Sequence, residues 1–196
     1  MLYAIWLTSC LTLTSACAQE QDPLTLIDAV VDAVLADISA NKAVYEKDKN
    51  RLQHMVNQRI APHFNFMRIA QLTMGKNWST ANPDQQQRLA AAFQSLLVRT
   101  YADSLLDIPD NPKQRYSIKS QQRMNPERMM INLAVTRSHN DPVQLSLRLE
   151  QHNKTWQVID VIIDGVSMVI TYRSQFEQKI RSAGIEGLIT SLQTEW

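Results

Sequence analysis

Cysteine is nearly absent: the chain of 196 residues has two, Cys10 and Cys17, both near the N-terminus. If that segment is removed on export, no thiol remains, which excludes disulfides, thiolate catalysis and cysteine–metal sites. Glycine is scarce too, with 4 residues against 7 prolines, which rules out collagenous and Gly-rich low-complexity classes. An excess of one charge is also lacking, since 20 Lys and Arg against 19 Asp and Glu give +1. A nucleic-acid-binding chain normally carries a basic excess or stripe, so no nucleic-acid partner is expected. No internal repeat is visible at solenoid periods. Beyond the N-terminus no apolar run is long enough to span a bilayer. What is present is a chain 44% hydrophobic and 20% charged, the composition of a globular protein. A domain of this length buries roughly 70% of its unfolded surface, enough for a sizeable core.

The first charge is Glu20. An apolar run from Leu2 to Leu13 gives way to Ala16-Cys17-Ala18, the small-x-small form cut by signal peptidase. The run is shorter than the roughly 20 residues of a membrane span, so residues 1–18 are expected to be a signal peptide and 19–196 a single domain. A second reading stays open: Thr14-Ser15-Ala16-Cys17 also suits a lipoprotein with Cys17 as the lipidated residue.

From Pro23 the pattern is helical. Ile27, Val30, Val31, Val34, Leu35 and Ile38 keep three-and-four spacing, and a polar stretch from Lys42 to Arg51 precedes a second helix limited by Pro62. A short helix is predicted over Phe66 to Met74, stopped by Gly75. Asn82 and Pro83 read as N-cap and first residue of the longest helix, whose stripe Leu89, Phe93, Leu97, Tyr101 and Leu105 runs to Ile108. Beyond residue 113 the period changes to two. Met129 to Val135 and Val143 to Leu149 alternate as half-buried strands, and Tyr116 and Ile118 mark a weaker earlier one. Trp156 to Ile163 makes the fourth, with Val158 to Ile163 buried on both sides. Met168, Tyr172, Phe176 and Ile180 return to helix, and Ala183-Gly184 separates a last short one. Helices, then four closely spaced strands, then helices predict an α+β fold: a twisted four-stranded antiparallel meander covered by helices.

Chemistry-bearing groups are few. His54, His63, His139 and His152 form no metal spacing, and no Walker loop, Gly-x-Gly-x-x-Gly or Gly-x-Ser-x-Gly is present, so no metal or cofactor is expected. Asp160 and Asp164 read as two residues on one face of the last strand, about 13 Å apart at the usual rise. Either is a candidate general base in a cone-shaped enzyme, or a structural carboxylate bracing the Gly165 turn. Arg173 is a candidate partner for one of them, or for a phosphate at a pocket mouth. The apolar faces are either a filled core or the lining of a cavity. Flexible Met67, Met74, Met129, Met130 and Met168 would suit the second.

The segment Trp156-Gln-Val-Ile-Asp-Val-Ile-Ile-Asp-Gly-Val-Ser-Met-Val-Ile-Thr-Tyr-Arg-Ser-Gln-Phe, with Gly184-Ile-Glu-Gly-Leu-Ile beyond it, carries a longer signal. It resembles the MlaC (toluene-tolerance, Ttg2-type) family of periplasmic phospholipid-binding proteins. Met74-Gly75, Trp78, Pro83, Gln87-Arg88, Phe93 and Tyr101 fit the same pattern upstream. The resemblance implies helices on a twisted sheet, cone-like, with an internal hydrophobic pocket for lipid tails. It implies a periplasmic binding protein, not an enzyme, that shuttles phospholipid in support of outer-membrane lipid asymmetry. The implied partners are an inner-membrane ABC transporter complex, with its periplasmic substrate-binding component, and an outer-membrane lipoprotein complex. Carried onto this sequence, the lipid-binding candidates are Leu97, Tyr101, Leu133, Leu147, Val161, Val166, Met168 and Tyr172. The competing readings are a cone-fold enzyme using Asp160 or Asp164, and an envelope adaptor that holds no lipid.

Overall fold

A computed structural model describes residues 22–109, 116–138 and 141–194. The expected signal segment, its cleavage before Gln19 and both cysteines lie outside the described residues, as do His139 and Asn140 of one expected turn.

Helix starts follow from their caps. Asp22 Oδ2 accepts from Thr25 N at 3.0 Å, and Pro23 opens α1, Pro23–Lys47. The stretch expected as a polar link is mostly helix. A single residue, Asp48, ends α1 in an extended conformation, and its carboxylate caps α2, Lys49–Arg59, by accepting from Asn50 N and Arg51 N. A 3-10 turn around Pro62 leads to α3, Phe66–Met74. Asn82 and Gln85 form a reciprocal capping box at the start of α4, Pro83–Tyr101. The stripe expected to carry that helix to Ile108 tightens into a 3-10 turn over Ala102–Asp107.

The sheet has strands β1, Tyr116–Asn125, β2, Arg128–Val135, β3, Val143–His152, β4, Thr155–Ile163, and a fifth, β5, Val166–Ser167. All neighbours pair antiparallel in chain order. The expected meander is there, and the extra strand arises where a plain turn was read. Asp164 and Gly165 take φ of 48° and 84°, so the chain folds back in a two-residue hairpin that pairs Ile163 with Val166. Asp164 therefore does not share a strand face with Asp160, as the sequence reading had it. Its Oδ1 accepts from Gln144 N at 2.9 Å and braces the turn.

One irregularity shapes the inner face. Between Arg148–Asp160 and Leu149–Val158 the register shifts, leaving Ile159 as an extra residue in β4. The bulge moves the alternation by one position, so Val158 and then Val161 and Ile163 look the same way. It also explains why the continuous run Val158 to Asp160 is buried throughout.

α5, Met168–Thr194, is broken at Gly184, whose φ of 69° and ψ of −176° no helix contains. That is the stop expected at Ala183-Gly184. Buried apolar residues gather in three clusters. One joins α3, α4 and α5 around Phe93, Tyr172 and Phe176, with ring centroids 4.9–6.2 Å apart and edge-on. A second joins α1, α2 and the end of α4 around Ile38, Leu52 and Val98. The third sets Ile27 of α1 on the sheet over Ile131, Leu149 and Trp156.

Candidate functional site

The three clusters border a cavity of about 510 Å³. α1 contributes Ile27, Val30, Val31 and Val34, and the α3 region Phe64, Phe66 and Ile69. α4 and its 3-10 extension supply Phe93, Leu97, Val98, Leu105 and Ile108. The sheet supplies facing pairs set by its register: Leu133 with Leu145, Leu145 with Ile163, Leu147 with Val161. Apart from Tyr101, Ser104, Asp107, Tyr116, Arg137 and Asp160, every lining side chain is hydrocarbon or thioether. Tyr101, Ser104 and Asp107 are exposed, which places the open end where α4 passes into its 3-10 turn.

Among the eight candidates, Leu97, Tyr101, Leu133, Leu147, Val161 and Met168 line this cavity. Tyr101 and Met168 meet at its edge, the phenol donating to Sδ at 3.7 Å. The other two do not line it. Val166 lies in β5, the edge strand of the sheet, and is 57% exposed. Tyr172 sits one layer deeper, packed edge-on against Phe93 and Phe176. Burial, then a hydrogen bond to Tyr101, raises the Tyr172 phenol well above its ordinary value. The α1 face, the phenylalanines at 64 and 66, and the strand positions Val143, Leu145 and Ile163 were missed as site residues. The strand positions were legible, because alternation puts Val143 and Leu145 on the same face as Leu147.

Asp160 borders the cavity but its oxygens are engaged. Oδ2 accepts from Ser167 Oγ at 2.7 Å and from Arg148 Nη1 at 3.4 Å, and Oδ1 accepts from Val169 N at 3.2 Å. Ser167 Oγ in turn accepts from Ile170 N, so the pair orders the first turn of α5. Arg173 pairs with neither aspartate. Its Nη2 donates to the Leu72 carbonyl at 2.7 Å, at the C-terminal turn of α3 where a cation is favoured. At the other wall the Tyr116 hydroxyl contacts the carboxylates of Asp28 and Asp32, one turn apart on α1, and ties β1 to that helix. Burial and then these two carboxylates raise the Tyr116 phenol strongly. No group of His, Cys, Asp and Glu among the described residues could hold a metal ion.

The sequence and the fold find counterparts in known proteins. The family model described as MlaC protein matches residues 28–194. The chain belongs to the MlaC family. It is 26% identical over 192 residues to the Haemophilus influenzae intermembrane phospholipid transport system binding protein MlaC, covering 95% of this chain and 87% of that one. It is 24% identical over 165 residues to the Pseudomonas putida toluene tolerance protein ttg2D, covering 84% and 75%. A phospholipid-binding protein from Ralstonia solanacearum, solved in complex with a phospholipid, superposes with a TM-score of 0.77 at 31% identity, covering 88% of this chain and 95% of that one. Within the MlaC motif, Tyr172 and Phe176 fill the helical core and Arg173 caps α3. The Asp-Gly turn makes the β4–β5 hairpin. The motif thus joins the sheet to the helices. No helix among the described residues is long and apolar enough to cross a membrane.

Proposed function

We propose that this MlaC-family chain is a periplasmic phospholipid carrier that holds acyl tails in the cavity between α1, α4 and the sheet. The observation that carries the reading is the lining itself: a space of about 510 Å³ walled almost wholly by hydrocarbon. That volume falls within the ~300–1,000 Å³ of small-molecule sites. Two chains of about 16 carbons represent on the order of 25 kcal/mol of apolar transfer, at roughly 0.8 kcal/mol per methylene. Free diffusion of such a lipid through water is negligible, so a carrier has to offer its tails surroundings close to those of a bilayer. Binding much tighter than a bilayer would prevent release. The names of its relatives, and the lipid held by the Ralstonia protein, support the same reading.

In this reading the carrier moves phospholipid between the outer membrane and an inner-membrane ABC transporter complex, docking with its periplasmic substrate-binding component and with an outer-membrane lipoprotein complex. Asp160 acts as a brace and not as a base, because its acceptor positions are taken by Ser167, Arg148 and Val169 N. Solvent extraction of the exported protein, followed by mass spectrometry, tests the proposal. About one phospholipid per chain is expected. Folded protein that carries and takes up no lipid would sink it and return the adaptor reading.

A further inference from the structure

The open end of the cavity is not only apolar. Arg137 is the single cation among the described residues that line it. The position is built: Ser138 N donates to the Asp107 carbonyl at 2.6 Å, tying the exit of β2 to the 3-10 turn at the mouth. Arg137 Nε donates to the Asp141 carbonyl at 2.8 Å, so one edge of the guanidinium is fixed. Among the described residues, no ion pair joins Arg137 to Asp107 or Asp141, and its two Nη groups are unclaimed. The side chain is half-buried and belongs to the lining, next in sequence to the Ser138 amide that binds the mouth residue Asp107. Arg148 and Arg173, by contrast, are committed to Asp160 and to the Leu72 carbonyl.

A lipid whose tails fill this cavity leaves its glycerol and whatever the glycerol bears at the mouth. The free fork of a guanidinium matches a phosphate with two parallel hydrogen bonds, which an ammonium cannot do. We propose that Arg137 is the phosphate anchor of the site, which makes the cavity select phosphate-bearing glycerolipids over neutral glycerides of the same tails. The inference rests on the carrier reading and adds a specificity residue to it. Head groups beyond the phosphate stay in water and are not read by Arg137.

The test uses the exported chain, stripped of lipid in detergent. It is reloaded from phosphatidylcholine vesicles containing an equal share of diacylglycerol with the same acyl chains, and the bound lipids are extracted and counted. The wild type should enrich phospholipid on the order of tenfold, the scale of a charged hydrogen bond. Arg137→Gln should bring the ratio close to one, and Arg137→Lys should fall between, keeping charge and losing the fork. If the Gln variant does not fold, the Lys variant carries the same comparison. An Arg137→Gln ratio equal to that of the wild type overturns the anchor, as does a wild type that loads both lipids equally. In both cases the carrier reading stands. A wild type that loads neither lipid overturns both. Inorganic phosphate at millimolar concentration should displace no lipid. Arg137-dependent binding of bare phosphate to the lipid-free chain would reassign the residue to a soluble anion and overturn the anchor.

Discussion

The Ser167 hydroxyl donates to Asp160 Oδ2 at 2.7 Å, across the hairpin that joins the sheet to α5. The carboxylate is fully buried and also serves Arg148 and Val169 N. Asp160→Ala would leave a partly buried guanidinium and an amide unpaired, and should destabilise the protein by about 3 kcal/mol. Urea unfolding measures it. A loss under 1 kcal/mol would mean that this network does not order α5.

Leu147 and Val161 face each other across β3 and β4 on the cavity wall. Leu147→Glu should lower co-purified lipid by tenfold or more, because a carboxylate among tails is desolvated without a partner. Val166→Glu should leave lipid content unchanged, since Val166 is surface-exposed. Mass spectrometry of both variants decides. Equal losses would move the lipid site towards the β4–β5 hairpin.

Leu97→Trp separates a cavity from a packed core. In a filled interior the extra volume strains its surroundings by about 1–3 kcal/mol. At the wall of this cavity it should leave the melting temperature of the lipid-free chain unchanged or higher, while lipid uptake falls. A lower melting temperature would argue that the space is already occupied by protein.

The acid limb of the stability curve should carry a mark from Asp37. Burial pushes its carboxyl up, but hydrogen bonds from Tyr45 and Asn41 and the Arg59 guanidinium outweigh it and hold it below its ordinary 3.8. A depressed value stabilises the fold above the unfolded value and is lost as pH falls through the folded one. Asp37→Asn should therefore weaken the protein at pH 6, with the deficit shrinking below about pH 4. Its partner behaves oppositely. Burial, then Asp37, pushes the Tyr45 phenol up to about 12, so that contribution is intact below pH 10.0 and lost between 10.0 and 12. Denaturant titrations across pH would show either limb, and a deficit that does not shrink as the pH falls would exclude Asp37 as its source.

Most of the architecture was legible because local rules agree with the final packing. Pro23, Asn82 and Gly75 mark helix ends in the sequence and in the structure. Strand alternation gave β2 and β3; that Leu133 and Leu147 on them face a site was an expectation carried by the family resemblance, and both line the cavity. What escaped needed tertiary information. The bulge at Ile159 changes which residues of β4 look inward, and no periodicity announces it. Asp48 breaks a helix at one residue inside a stretch of good helix formers. Tyr172 obeys the same four-residue stripe as Met168, yet one is in the helical core and the other on the cavity wall. A stripe says which face is apolar, not whether protein or space lies opposite. The contribution of α1 was hidden for that reason.

The N-terminal helices, unlike α5, are joined to the sheet by links distant in sequence. Arg68 reaches Glu150 at 3.1 Å and Asn65 reaches Gln157 at 3.1 Å, across 82 and 92 positions of chain. Asn65 N also donates to the Val158 carbonyl at 3.0 Å, beside the bulge. The hairpins of β1 to β4, by contrast, close over short loops. Loop-closure entropy therefore favours the meander forming as a unit, with docking of the helices onto β4 as the slow event of folding. Until that event, the apolar inner face of the sheet stands open to solvent. A newly made chain would thus be most prone to aggregate in the interval between the two.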